Sequence, residues 1–420
     1  MTATTQQAHV PPAPLAREPF HVHLGTALLF GLYVALLAGR FTLDRISSSL
    51  PALDLRLAAI YAIGLAWMWW FAVAHRYVKT RLPHTSIAFF LAWLSWMAMS
   101  AGWAPAGART ADNLLDLGLL AGFLLLGFHL MAALPAQVVA RLWTWVFWTG
   151  VIYFAAAMLE GPGAQGRYSA FGGGPNVFVR IMLLAAIAAL FLTASRKKSW
   201  PLFAVPLFAV GAALSGSRGG LLSAAIVVVL FLIPIVQRLG GKRFLRFGLA
   251  AGVVAAIAAA SDGGAIFRFV QDRYIQQTIV EGYTSGRTSI FEQILVLYNQ
   301  NPVGGVGLDG YYALQPRGSV FEYPHNLLLA TAGEGGSIGA ALLIGTLAAF
   351  AIAATRVRPM QPAAFTALLA GAYLLFASMF SGDYYDSRFM WFFLAVAATV
   401  TTSQRDHIED RLEERDLQRT

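Results

Sequence analysis

Long apolar runs dominate this chain of 420 residues and constrain its fold more than any other feature. Hydrophobic residues make up 57% of the chain and charged residues only 12%, whereas soluble domains carry about 25% charged residues. A helix that crosses a membrane needs about 20 mainly apolar residues, so the pattern predicts an all-α, polytopic membrane protein with about 12 transmembrane helices. The candidate runs lie at 24–39, 57–75, 86–102, 114–131, 139–158, 177–194, 201–215, 219–236, 248–260, 326–354, 363–380 and 389–403.

Basic residues in the short loops predict the orientation, because cytoplasmic loops carry an excess of lysine and arginine. The alternate loops 76–85, 195–200, 237–247 and 355–361 contain basic residues and no acidic residue. We therefore place these loops and both termini in the cytoplasm. This placement explains most of the net charge of +9 as a topology signal, so the charge gives no reason to expect nucleic acid as a partner.

The lengths of the connections predict how the chain is organised. Every connection is short except 261–325, which we predict to be a large extracytoplasmic loop with amphipathic helices at 268–280 and 288–299. The run 326–354 is long enough to be broken or strongly tilted. The remaining parts are an N-terminal cytoplasmic tail at 1–23, transmembrane helices 1–9 within 24–260, helices 10–12 within 326–403, and a C-terminal cytoplasmic tail at 404–420.

His325 is the only histidine that this topology places outside the cell membrane, in the segment Glu322-Tyr323-Pro324-His325-Asn326. Proline at position 324 can open the next helix, which would put His325 in the first helical turn. A helix N-terminus and nearby arginines both lower the pKa of an imidazole, which keeps the ring neutral and able to accept a proton. The alternative is an interfacial histidine that only forms hydrogen bonds.

Three arginines of the same side, Arg167, Arg218 and Arg287, lie beside glycines and hydroxyl-bearing residues. Small neighbours let a ligand approach the backbone, and the planar guanidinium matches phosphate oxygens. Arg180 lies about a turn inside the sixth span, where a charge is costly and therefore suggests function. The alternative for all four is a side chain that extends to lipid headgroups.

Three other patterns have weaker links to chemistry. Gly305–Gly310 fits G-x-G-x-x-G but lacks the strand and helix of a dinucleotide site. Asp383 and Asp386 could hold a metal, yet no further outside carboxylate is tied to them by spacing. Glu334 would lie about 180° from His325 on a continuous helix, and its neighbouring glycines favour close helix packing. We predict no cofactor and no metal.

Five segments, taken in order, resemble the O-antigen ligase and polymerase superfamily, whose members are membrane glycosyltransferases of the GT-C class. Two positions depart from the family pattern: Phe291 stands where many members have tryptophan, and Arg180 where members are often apolar. The resembling segments are RYSAFGGGPN at 167–176, SGSRGG at 215–220, SGRTSIFEQIL at 285–295, NPVGGVGL at 301–308 and YPHNLLL at 323–329.

The resemblance implies that a glycan is transferred from undecaprenyl diphosphate to an acceptor hydroxyl at the periplasmic face of a bacterial inner membrane. Transfer would invert the anomeric carbon and need no metal. His325 would be the general base, while Arg218 and Arg287 would bind the diphosphate. Arg167 would be a helper, and Arg180 would extend the anion site.

Three acceptors fit the family: the lipid A–core for a ligase, a repeat unit for a polymerase, and a protein hydroxyl for an O-oligosaccharyltransferase. Protein-modifying members usually carry an added outside domain near the C-terminus, whereas here a short tail is predicted. We therefore expect a ligase, with the polymerase as the next alternative. From another class, a lipid-linked oligosaccharide flippase or transporter would place charges along a mid-membrane pathway.

Overall fold

The computed structural model describes residues 19–45, 49–74, 82–196, 199–260, 264–281, 286–315 and 323–417. Several predictions fall outside these ranges. They concern the N-terminal tail through residue 18, the loop residues Arg76, Lys79, Arg81, Lys197 and Lys198, Ser285 of the SGR motif, and Glu322.

The described chain is helical, as predicted, and its one β-bridge joins Thr42 and Asp54. Each of the twelve apolar runs is helical over most of its length. Before residue 261 the described helices are α1 Phe20–Ala38, α2 Leu55–Ala74, α3 His84–Met99, α4 Thr110–Ala133, α5 Ala136–Val139, α6 Leu142–Glu160, α7 Gly174–Arg196, α8 Ala204–Leu214, α9 Arg218–Leu239 and α10 Gly241–Ala260. After it come α11 Ala265–Val270, α12 Arg287–Gln300, α13 Gly310–Leu314, α14 Leu327–Thr355, α15 Pro362–Ser378 and α16 Arg388–Leu417.

Eight helices of the described chain are long and apolar enough to cross a membrane, and two shorter apolar helices accompany them, Trp200–Leu214 and Pro362–Ser378. The predicted spans 248–260 and 389–403 lie within α10 and α16, whose remaining residues include many charges. A helical polytopic membrane protein is therefore confirmed, while a count of about 12 crossings stays a prediction.

Helix α16 lies at the centre of the bundle, where it packs against α4, α14 and α15. Its side chains from Arg388 to Thr401 are buried without interruption, which requires apolar residues all round the helix. At the periphery, α2 and α9 expose large apolar side chains, including Tyr61, Leu65, Val229 and Ile233. In a membrane these side chains contact lipid, so their exposure carries no penalty.

Of the two alternatives for the 326–354 run, a break or a strong tilt, the structure shows a break at Gly336, whose φ of 67° and ψ of −165° interrupt α14. The loop after α12 crosses α14 at this point. There, Ser337 N donates to Pro302 O at 2.8 Å and Gly307 N donates to Glu334 O at 2.9 Å. A Cβ at Gly336 would lie 2.1 Å from Val303 O, so only glycine allows the approach. The large loop is thereby fixed to a membrane helix.

Contacts between loops group them at two ends of the bundle, as the alternation of basic and other loops along the sequence predicts. At one end, which we call the outer end, Arg109 N donates to Asp309 Oδ2 at 2.7 Å and Asn176 Nδ2 donates to Ser381 Oγ at 2.9 Å. At the opposite end, the last turn of α9 meets the basic loop after α14, where Arg238 donates to the carbonyl of Met360 at 3.4 Å. The outer end contains His325.

Candidate active site

The turn between α8 and α9 places Arg218 at the outer end. Gly216 has a φ of +64°, which permits the tight reversal, and Arg218 is the first residue of α9. A Cβ at Gly219 would lie 2.5 Å from Phe380 Cβ. The glycine after Arg218 thus allows α9 to begin directly against the α15–α16 loop, which explains the SGSRGG sequence.

Arg167 lies against this turn. Tyr168 N donates to Leu214 O at 3.0 Å, and Arg167 Nε donates to Ser215 O at 2.9 Å. Ser217 Oγ donates to Asn176 Oδ1 at 2.8 Å, which connects the turn to α7. Two of the resembling segments, RYSAFGGGPN and SGSRGG, are therefore parts of one local structure.

Arg287 begins helix α12, following Gly286 in the left-handed region. The helix matches the prediction for 288–299, and its residues Ile290 and Ile294 are buried as expected. Arg287 Nε donates to Phe380 O at 3.1 Å. The guanidinium is thus held beside the C-terminal end of α15, where unpaired carbonyls favour a cation.

The turn Met379–Ser381 after α15 anchors three segments that contain or adjoin predicted site residues, through successive carbonyl groups. Met379 O accepts from Asn326 Nδ2 at 3.1 Å and Phe380 O accepts from Arg287. Ser381 O accepts from Arg180 Nη2 at 2.6 Å. The sequence did not predict this turn, because its contacts are made by backbone carbonyl groups, which do not depend on the type of side chain.

His325 precedes helix α14 and does not lie in its first turn, so that part of the prediction was wrong. The helix begins at Leu327, and Asn326 is its N-cap, with Oδ1 accepting from Leu329 N at 3.0 Å. Asparagine is a strong N-cap residue, and His325 has a φ of +54°, which is incompatible with a right-handed helix. The imidazole packs against Tyr323, with 4.2 Å between ring centroids.

The surroundings of His325 favour the neutral imidazole, as predicted. The pKa of His325 is lowered to about 4, first by burial and then by the positive charge of Arg287, while Asp386 opposes the shift. Burial also raises the pKa of Tyr323 to about 12, so its phenol is protonated at neutral pH. The histidine is thus an uncharged acceptor in a positively charged site.

A cavity of about 180 Å³ brings His325 together with three of the predicted arginines, and we call it the arginine cavity. Burial lowers the pKa of Arg167, and neighbouring guanidinium charges, first that of Arg273, lower it further. Burial and Arg218 likewise lower the pKa of Arg287. An anion would relieve this repulsion. The described lining is Arg167, Asn176, Gly216, Ser217, Arg218, Arg273, Arg287 and His325.

Sequence reasoning missed Arg273, Asn176 and Ser217 as parts of this cavity. Arg273 lies in a π-helical segment, Gln271–Val280, within the predicted amphipathic helix, and its Nε donates to Gly216 O at 3.3 Å. The periodicity of an amphipathic segment does not show which of its arginines points at a site. Asn176 and Ser217, in contrast, were both inside resembling segments.

Arg180 does not line the arginine cavity among the described residues. Its guanidinium holds the Met379–Ser381 turn through Ser381 O, and its charge lowers the pKa of Asp386. This placement favours a positioning role over direct contact with an anion.

The carboxylates considered for a metal belong to a set of paired charges that we call the ion-pair network. Asp383 Oδ2 accepts from Arg40 Nη2 at 2.7 Å, and Asp386 lies 3.5 Å from both Arg40 and Arg388. Asp116 joins Arg40 to Arg56, which also binds Asp54. Arginines at these oxygens favour an ion-pair role. Within the described ranges no three His, Asp or Glu side chains are grouped as metal ligands.

Gly305–Gly310 and Glu334 both serve packing. The glycine loop lies on the break of α14, where a Cβ at Gly305 would be 2.3 Å from Glu334 O. The buried carboxylate of Glu334 accepts from Tyr384 Oη at 2.7 Å. This arrangement agrees with the packing role predicted for Glu334 and gives no support to a dinucleotide site.

Residues 202–344 match the family model described as O-antigen ligase. This match supports the resemblance to the O-antigen ligase and polymerase superfamily. The matched region contains Arg218, Arg273, Arg287 and His325, whereas Arg167 and Arg180 lie before it. No curated protein matches the chain. Together with the apolar helices, the match implies a multi-pass membrane protein that is a glycosyltransferase-like enzyme of the O-antigen ligase and polymerase type.

Proposed function

We propose that the protein is an O-antigen ligase of lipopolysaccharide biosynthesis. It transfers an O-antigen glycan from undecaprenyl diphosphate to a sugar hydroxyl of the lipid A–core. The observation that carries the proposal is the arginine cavity, in which His325 shares one small space with Arg167, Arg218, Arg273 and Arg287. A neutral base beside several cations suits a substrate that releases a polyanion.

Arg218 and Arg287 bind the diphosphate in this proposal, with Arg167 as a further contact. A guanidinium presents paired donors to phosphate oxygens. Bond cleavage at the anomeric carbon leaves negative charge on the departing diphosphate, and preorganised cations stabilise that charge in the transition state. Arg180 supports the site indirectly by holding the turn that also binds Arg287 and Asn326.

His325 accepts the proton of the acceptor hydroxyl as its oxygen attacks the anomeric carbon. The new glycosidic bond forms while the bond from that carbon to the diphosphate oxygen breaks, and undecaprenyl diphosphate leaves. A single displacement of this kind inverts the anomeric configuration. The chemical energy comes from the glycosyl–diphosphate bond, so the proposed reaction needs neither a nucleotide nor a metal.

The active site faces the periplasm of a bacterial inner membrane in this proposal. Basic residues cluster at the end opposite His325, and such clusters stay in the cytoplasm. They lie around the α9–α10 junction and in the loop after α14, and include Arg238, Lys242, Arg243 and Arg358. The large loop 261–325 is then periplasmic. Donor lipid reaches the arginine cavity from the membrane, and the glycan extends into the periplasm.

One reconstituted assay tests the function. Purified protein receives undecaprenyl-diphosphate glycan together with either lipid A–core or free lipid-linked repeat units, and products are separated by gel and mass spectrometry. We expect glycan on lipid A–core. Longer chains on the lipid carrier would identify a polymerase instead, and glycan on protein acceptors an O-oligosaccharyltransferase. Lipid movement across liposomes without a transfer product would identify a flippase.

A further inference from the structure

A second cavity adjoins the arginine cavity, and the two share Arg167 and Arg273 in their walls. We call the second cavity the outer chamber. Its volume of about 680 Å³ falls within the range of about 300–1,000 Å³ that ligand pockets occupy. The described residues that complete its lining are Gln165, Phe269, Asp272, Gln277 and Glu281.

The two cavities differ in charge. Four arginines and no carboxylate line the described wall of the arginine cavity, which suits an anion. The outer chamber combines two arginines with the carboxylates of Asp272 and Glu281 and with two amides. Carboxylates repel a phosphate, while a mixture of donors and acceptors matches hydroxyl groups, which both donate and accept.

The π-helical segment Gln271–Val280 brings these polar groups onto one wall. In a π-helix each N–H bonds five residues back, so Asp272 and Gln277 share a face. Tyr274 Oη donates to Ala213 O at 2.8 Å, which fixes the segment to α8. Arg273 Nη1 donates to Gln277 Oε1 at 2.7 Å. The Gln277 oxygen is thus engaged, and its NH₂ group is the part that can donate to a ligand.

Phe269 supplies the apolar part of the wall. A Cβ at Gly216 would lie 3.3 Å from Phe269 Cζ and 3.1 Å from Arg167 Cγ. Glycine at this position therefore lets the aromatic ring and the arginine meet over the α8–α9 turn. An aromatic face beside hydrogen-bonding groups suits a pyranose, which presents C–H groups on its faces and hydroxyls at its edge.

We propose that the outer chamber binds a pyranose of a glycan substrate, with Asp272 and Gln277 at its hydroxyls and Phe269 against its face. Arg167 and Arg273 then separate the sugar from the diphosphate. The inference rests on the proposed function, because that function supplies the glycan. Donor and acceptor glycans share this chemistry, and the experiment distinguishes them.

Steady-state transfer by the full-length protein tests the proposal with Asp272→Ala, Gln277→Ala and the control Gln271→Ala, which changes an exposed residue of the same segment outside the chamber. Loss of one hydrogen bond should raise the KM of the bound glycan substrate about tenfold. A higher KM for the donor assigns the chamber to the donor glycan, and one for the acceptor assigns it to the acceptor. Unchanged KM values for both substrates in both chamber variants would overturn the proposal.

Binding of undecaprenyl diphosphate without a sugar separates the chamber from the anion site. Asp272→Ala should bind this probe as the wild type does, while Arg218→Ala should bind it weakly. Equal weakening in Asp272→Ala would make the chamber part of the anion site and contradict the proposal. The conservative variant Asp272→Asn and a thermal unfolding curve show whether any loss reflects misfolding.

Failure of the proposed function would have a different signature. If the wild type transfers no glycan to any acceptor, the chamber is tested by titration with the oligosaccharides released from donor and acceptor. Saturable binding that Asp272→Ala weakens would support the sugar subsite independently of transfer. Absence of saturable binding to the wild type would refute it.

Discussion

Two groups of arginines lie at the outer end of the bundle, and they differ in what faces their guanidinium groups. In the ion-pair network, Arg40 and Arg56 contact aspartates from distant parts of the chain, and Arg388 contacts the nearby Asp386. In the arginine cavity, four arginines line a space whose described wall contains no carboxylate. The comparison teaches that residue type alone does not indicate function. An arginine that faces a carboxylate is neutralised within the fold, whereas an arginine that faces a cavity can bind an anionic ligand.

His325 lies between the two groups and is influenced by both. Arg287 of the cavity lowers the pKa of the imidazole, while Asp386 of the network raises it. The network therefore does more than connect α1, α2, α4 and the α15–α16 loop, because Asp386 also affects the pKa of the proposed base, His325. Five predictions follow from the contrast, in order of decreasing effect.

The largest effect is expected for His325→Ala. Loss of a general base should lower glycan transfer by at least about 10²–10⁴-fold, while membrane insertion and thermal stability stay near wild type. Transfer is measured in the reconstituted assay. His84→Ala, at the start of α3 on the opposite end of the bundle, is the matched control and should retain activity. Persistent transfer in His325→Ala would refute the base assignment.

Arg287→Lys should come next, with a loss in kcat/KM of about 10²-fold. Lysine keeps the charge but lacks the planar pair of donors that matches phosphate. The comparison is Arg388→Lys in the ion-pair network, which should lower the melting temperature more than the kcat of the folded protein. If Arg287→Lys is fully active, or if the two variants exchange these effects, the distinction between the two groups is wrong.

Asp116→Asn should mainly affect stability, because Asp116 joins Arg40 to Arg56. Loss of one partner from a buried pair costs about 3–5 kcal/mol. Since the Arg40 side chain is 38% exposed, we expect about 2–3 kcal/mol after screening by solvent. Thermal unfolding in detergent measures the loss, with exposed Asp112→Asn at the start of the same helix as the control. Equal melting temperatures would contradict a structural network.

The pH dependence of transfer should show a smaller effect. In the free protein the pKa of His325 is lowered to about 4, so the base becomes protonated and inactive as the pH falls through that value. A bound diphosphate offsets the charge of Arg287, which raises the pKa in the complex. Because kcat/KM reports the free enzyme and kcat the complex, the acid limb of kcat should lie at higher pH. Coincident or reversed limbs would argue against this coupling.

Chelation should have the smallest effect of all. In the proposed mechanism, four arginines supply the charge stabilisation that a divalent cation provides in many transferases, so transfer should continue in EDTA at the untreated rate. A loss that added Mg²⁺ or Mn²⁺ restores would show that the proposed metal-free mechanism is incorrect.

The sequence predicted more of the fold than of the site. All twelve apolar runs form helices, because each is apolar over several turns and ends at glycine, proline or charged residues. The break in α14 was expected from its length, although its position at Gly336 was not. Arg167, Arg218 and Arg287 were predicted from their glycine-rich surroundings and His325 from its place in the predicted topology. The family resemblance implied a role for all four, and the structure brings them to one cavity.

Other parts of the site were beyond the reach of the sequence. In the sequence, Arg273 does not differ from other arginines of an amphipathic helix. Only the packing of the π-helical segment against Gly216 places it in the site. The Met379–Ser381 turn acts through backbone carbonyls, which every residue possesses. Asn326 is the N-cap of α14, so His325 lies outside the helix. Proline at position 324 suggested that the helix would begin earlier.

The sequence by itself determined that this is a helical membrane protein with one large loop, since hydrophobic runs and charge patterns act locally along the chain. It also determined which residue types are available at the outer end. Only the tertiary structure decided which arginines contact aspartates and which line a cavity. That choice depends on contacts between residues far apart in sequence, such as Arg40 with Asp383 and Arg287 with Phe380, and no local pattern records such contacts.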